Sequence, residues 1–87
     1  MTLNKTGGAD SVTPDANLTV TNDLTLTDGT LVLTDGSNPN VSIGNALSIA
    51  DGAVWTKGSG NLTFTGASST LADANSTPNN LGTVIVD

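Results

Sequence analysis

Residues 17–39 and 40–62 superimpose without a gap, and this 23-residue internal repeat constrains the fold more than any single residue. The first copy runs Asn17-Leu18-Thr19-Val20, Asn22, Leu24-Thr25-Leu26, Asp28-Gly29, Leu31. The second runs Asn40-Val41-Ser42-Ile43, Asn45, Leu47-Ser48-Ile49, Asp51-Gly52, Val54. Each copy offers three short runs of alternating apolar and polar residues separated by turn residues. Such a unit carries too little apolar surface to fold alone, so it must stack on copies of itself.

Thr and Asn supply 25 of the 87 residues and Gly another 10, while Glu, Arg, Gln and Tyr are missing. This is a vocabulary of strands and turns, poor in helix formers. With no Cys and no His, disulfide staples, a Cys/His zinc centre and histidine-based catalysis are excluded. The net charge of −6 argues against nucleic acid, because phosphate binding needs clustered Lys or Arg and only Lys5 and Lys57 are present. No apolar run reaches the length of a membrane-spanning helix, and Met1 to Ala16 show no apolar signal core.

Residues 1–16 have scattered apolar positions broken by Gly7-Gly8 and Thr13-Pro14-Asp15, and read as an irregular leader or cap. Residues 17–87 read as the repeat domain, with coils near 17–39, 40–62 and 61–87. Strands are expected at 18–20, 24–26, 31–33, 41–43, 47–49, 54–56, 62–64 and 83–86. Alternation turns Leu18, Val20, Leu24, Leu26, Leu31, Leu33, Val41, Ile43, Leu47, Ile49, Val54, Leu62, Phe64, Val84 and Val86 inward. Between Thr65 and Asn80 the pattern loosens around one apolar anchor, Leu71, and reads as a longer excursion.

Two folds satisfy this pattern. Asp28-Gly29 and Asp51-Gly52 are strong hairpin signals, which would set Leu26 opposite Leu31 and Leu24 opposite Leu33 in an antiparallel β-sandwich. In a parallel β-solenoid of about three and a half coils, Asp-Gly is instead a corner, and each residue lies about 4.8 Å above its counterpart. The solenoid is preferred because it also accounts for the pairs Asn17/Asn40, Asn22/Asn45 and Asn38/Asn61, all offset by 23, which it would stack as amide ladders.

The run Val54-Trp55-Thr56-Lys57-Gly58-Ser59-Gly60-Asn61-Leu62-Thr63-Phe64, followed by Asn79-Asn80-Leu81-Gly82-Thr83-Val84-Ile85-Val86, resembles the Asn/Thr/Gly-rich repeats of large secreted bacterial surface proteins. It is similar in texture to autotransporter passenger domains and haemagglutinin-type adhesins. The resemblance implies a right-handed parallel β-helix displayed outside the cell.

Candidate sites are few. Stacked at one corner, Asp28 and Asp51 would repel by about 0.8 kcal/mol at ~5 Å in water, and calcium would relieve that. The plainer reading is that Asp and Gly are there for the turn, with no metal and no other cofactor. Alternation turns Trp55 outward beside Val32 and Lys57, a patch on which a sugar ring would stack, or an outer ladder of packed side chains. The Asp residues lack the groove and basic partners that polysaccharide cleavage needs, so no enzyme is expected. Asn-x-Thr/Ser triplets at Asn4, Asn17, Asn40, Asn61 and Asn75 follow from composition.

The expected role is therefore structural: an extracellular or cell-surface stalk, spacer or fibre element, partnered by itself or by neighbouring repeats of a longer chain. Open end strands carrying Leu18, Val20, Val84 and Val86 would template head-to-tail assembly. A glycan-binding adhesin module is the alternative.

Overall fold

The computed structural model describes residues 1–4, 11–34 and 38–86. It is all-strand, with no helix among the described residues. Eleven strands follow in order: β1 (Thr2–Asn4), β2 (Ser11–Val12), β3 (Leu18–Val20), β4 (Leu24–Asp28), β5 (Thr30–Val32), β6 (Val41–Ile43), β7 (Ala46–Ile49), β8 (Val54–Thr56), β9 (Asn61–Phe64), β10 (Thr70–Asp73) and β11 (Thr83–Val86). They form three parallel sheets, ordered β1-β4-β7-β10, β3-β6-β9-β11 and β2-β5-β8. The chain visits the three in rotation, so the fold is a parallel β-solenoid.

Leu24 pairs with Leu47 and Leu26 with Ile49, both 23 positions apart in parallel register. Leu18 pairs with Val41 and Val20 with Ile43 at the same offset. The antiparallel sandwich is thereby excluded. Asp28-Gly29 is a corner: Gly29 takes φ 89°, as does Gly52 one coil on, a backbone region that L side chains with a Cβ avoid. The core is a column of apolar side chains inside the coils, among them Leu24, Leu31, Ile43 and Leu47, each with no exposed surface. No polar or charged residue among the described ones is fully buried.

The 23-residue period fails on the third face. Thr30 pairs with Val54 and Leu31 with Trp55, 24 positions apart. Leu26 to Thr30 covers four positions, whereas their counterparts Ile49 to Val54 cover five. The extra residue lies in the corner closed by the Ala53 N–H donating to the Ala50 carbonyl at 3.1 Å, and Ala53 itself is buried. The next corner is three residues shorter in the later coil, since Val32 to Val41 spans nine positions and Thr56 to Leu62 only six. Leu62 therefore stands over Val41 at an offset of 21.

Three further expectations are corrected. Residues 1–16 are not wholly irregular: β1 lies on β4 and β2 on β5, both parallel. Leu3 and Val12 pack there against the main core, too far apart in sequence to show alternation. The Gly7-Gly8 breaker lies outside the described residues. The loose segment 65–80 contains β10, on β7 with Leu71 over Leu47, a strand hidden from the pattern because its other residues are Thr70, Ala72 and Asp73. Val54, expected inside, is 40% exposed.

Candidate functional site: corners, outer patch and solenoid ends

Several asparagines work at the corners, their side chains serving the backbone of an adjacent coil. The Asn40 N–H donates to Asn17 Oδ1 at 2.9 Å, and the Asn61 N–H donates to Asn40 Oδ1 at 2.8 Å. Asn38, in the left-handed region at φ 43°, accepts from the Ser59 N–H at 3.2 Å. These are side-chain-to-backbone bonds, so the amide-on-amide ladders expected from sequence are replaced by acceptors that satisfy N–H groups where strand pairing stops. The Asn38/Asn61 pair does not form, because the shortened corner sets Asn61 above Asn40. Asn22 and Asn45 do stack through backbone, at 3.0 Å, while the Asn45 amide donates to Asp23 Oδ1 at 2.7 Å.

Glycines let the corners nest. A Cβ on Gly44 would be driven into the Thr21 carbonyl, and one on Gly66 into the Gly44 carbonyl. A column of close backbone contacts thus runs up that edge.

At the Asp-Gly corners, Asp28 Oδ1 accepts from the Gly29 N–H at 2.8 Å, which is turn chemistry. The Gly52 N–H above it donates instead to Asn75 Oδ1, also at 2.8 Å. Among the described residues no three His, Cys, Asp or Glu side chains gather to hold a cation.

The outer patch of Val32, Trp55 and Lys57 is not assembled. Trp55 is 4% exposed and points inward over Leu31, because the extra corner residue inverts the alternation of β8. Its backbone N–H donates to Asn79 Oδ1 at 3.1 Å, and its indole Nε1 has no hydrogen-bond partner among the described residues. Val32 neighbours Thr56 instead. Lys57 is exposed, its stem lying against Gly82. The indole is thus not on the surface to stack on a sugar.

Sequence reasoning missed a lock in the last coil. Asp73 stands in the inward column above Ile49. Its Oδ2 accepts from the Asn79 N–H at 2.7 Å and Asn79 Nδ2 at 3.0 Å, and its Oδ1 accepts from Asn75 Nδ2 at 2.7 Å and the Asn75 N–H at 3.0 Å. Led by the bond from the Asn79 backbone, these contacts lower the carboxyl from its ordinary 3.8 to about 2. Asn75 and Asn79 then reach down to Gly52 and Trp55, so the segment after β10 covers the third face without a strand. Asn75 and Asn79, two and six residues after a carboxylate, were no signal in a chain so rich in Asn.

The two strands expected at the open ends differ in exposure: Val20 on β3 is 6% exposed, whereas β11 is exposed throughout. Leu18 and Val20 lie on β3, an edge of its sheet; Val84 and Val86 lie on β11, the opposite edge. Val84 stands over Leu62 and Val86 over Phe64, inward positions with no described residue paired above them, 42% and 79% exposed. With Phe64 and Leu71 they line an open groove of about 320 Å³.

No family model, no curated protein and no solved structure matches this chain.

Proposed function

We propose that this chain is a structural, non-enzymatic β-solenoid element of an extracellular surface, a stalk, spacer or fibre subunit whose work is to extend a stack of coils. The observation that supports this reading is the stacking of the coils themselves, in which strands of successive coils pair in parallel on all three faces around one apolar core. A further feature agrees with a structural role: asparagine acceptors add to the backbone ladders that tie one coil to the next. The extracellular placement rests on the resemblance in repeat texture.

Pulling single molecules by their two termini tests the reading. Coils that carry load release in steps of about 70 Å, the contour length of roughly 23 extended residues less the coil height. Smooth extension with no steps, as of an unfolded chain, would overturn it.

A further inference from the structure

We propose that Asp51-Gly52 is a self-modification site, at which the Gly52 nitrogen closes on the Asp51 side chain to a succinimide that water reopens as isoaspartate, and that Asn75 of the next coil guards it. Glycine after the aspartate leaves no side chain to hinder the ring. No reagent other than water is needed.

Two corners of successive coils carry the same dipeptide, and their surroundings separate them. Gly29 and Gly52 share one backbone conformation, φ 89°. Gly29 is buried, its N–H donates to Asp28 Oδ1 at 2.8 Å, and its carbonyl accepts from the Val54 N–H at 2.9 Å. An amide nitrogen attacks through the electron pair standing above the peptide plane, whereas a carboxyl in line with the N–H lies at the edge of that plane. Asp28 is therefore turned away from near-attack geometry. Asp51 and Gly52 are both exposed, and no atom stands within 4 Å of the point a Gly52 Cβ would occupy. The Gly52 N–H is directed to Asn75, so the Asp51 carboxyl is not pinned at the edge of the Gly52 peptide.

The restraint comes from the coil above. The Gly52 N–H donates to Asn75 Oδ1 at 2.8 Å, a bond that keeps the proton which ring closure must remove. Asn75 Nδ2 donates to the Ala50 and Ala53 carbonyls, each at 3.2 Å, and to Asp73 Oδ1 at 2.7 Å. Asn75 thus clasps Ala50, Gly52 and Ala53, the whole corner, and only local opening of this contact exposes the nitrogen.

Once Asn75 lifts away, the Gly52 nitrogen bonds to Asp51 Cγ, and the hydroxyl of the protonated carboxyl leaves as water with the amide proton. Water then adds to the ring. Opening between nitrogen and Cγ restores aspartate, while opening at the main-chain carbonyl sends the backbone through Asp51 Cβ and Cγ. One water is lost and one is gained, and nothing is oxidised or reduced. The product backbone is one carbon longer inside the corner that the Ala53 N–H closes on the Ala50 carbonyl at 3.1 Å. That corner sets the phase of β8, so the added carbon bears on the seat of Trp55.

The full chain is held for weeks in warm, mildly acidic buffer and cut into peptides, and the aspartate and isoaspartate forms of those carrying Asp28 and Asp51 are separated by chromatography. Asp51 is expected to convert and Asp28 to stay. Asn75→Ala should speed conversion of Asp51 about fivefold, the worth of one hydrogen bond, with amide exchange at Gly52 rising by the same factor. Sub-denaturing urea loosens the same contact without a substitution, and conversion of Asp51 should respond before that of Asp28. Asp28 converting as fast as Asp51 in the folded protein, or the two rising together in urea, overturns the proposal. So does an Asn75→Ala chain whose Gly52 amide exchanges faster while Asp51 converts no faster.

Discussion

Trp55 lies above Leu31 and not above Val32, a shift of one residue from the internal repeat that turns the largest side chain of the chain from the surface into the core. Ala53, the added corner residue, causes it. Trp55→Ala should therefore lower unfolding free energy by about 3–5 kcal/mol, the usual cost of truncating a buried aromatic. Val54→Thr, at the position the repeat would have buried, should change it by less than about 0.5 kcal/mol. Urea unfolding followed by circular dichroism compares the two, and a larger loss for Val54→Thr would contradict the observed register.

Gly44→Ala should destabilise by about 1–3 kcal/mol, because the new methyl meets the Thr21 carbonyl of the coil below and the backbones must part. Gly66→Ala meets the Gly44 carbonyl and should behave alike. Gly52→Ala finds open space but has φ 89°, so its cost is conformational, about 1–2 kcal/mol. Doubling Gly44 and Gly66 should fall short of additivity, since both act on one nested corner; thermal melts of the four proteins measure it.

Asn40 distinguishes an acceptor from an amide ladder. Asn40→Ala leaves the Asn61 N–H without its partner at 2.8 Å and should cost about 1 kcal/mol. Asn40→Asp keeps an oxygen in the same place and should retain most of the stability at neutral pH. Equal losses for Ala and Asp in chemical denaturation would mean that amide stacking matters after all.

Asp73 links the last coil to pH. Its folded-state carboxyl titrates at about 2, below the ordinary 3.8, so the carboxylate is favoured in the folded protein. Its stabilising contribution is complete above pH ~4 and drains away as pH falls from the unfolded value toward the folded one. Amide exchange at Asn75 and Asn79 should accelerate, after correction for intrinsic rates, across that window, while the Asn61 amide stays protected. In Asp73→Asn the acid-dependent change should vanish.

Parallel stacking, the three-faced coil and most of the inward residues were legible because Leu, Val and Ile alternate with Thr and Ser in copies that align. Leu24 over Leu47 is the plainest case. What escaped has a local physical cause each time. One residue added at a corner inverted Val54 and Trp55, and alternation counted along the chain carries no information about corner length. The β10 strand escaped since Leu71 is its only large apolar residue, and β2 since two residues cannot display a period. The Asp73 lock joins residues whose roles arise only once the third face needs covering, so no spacing announces it.

Because one corner lengthens and the next shortens, each bend of the coil acts as an expansion joint. The residue gained at one bend inverts a single facet, and the following bend, three residues shorter, returns the next facet to the inward alternation at an offset of 21. A chain built this way accumulates insertions and deletions without losing its axis, and sequence drift can re-dress one side of the rod while the other two keep their pairing.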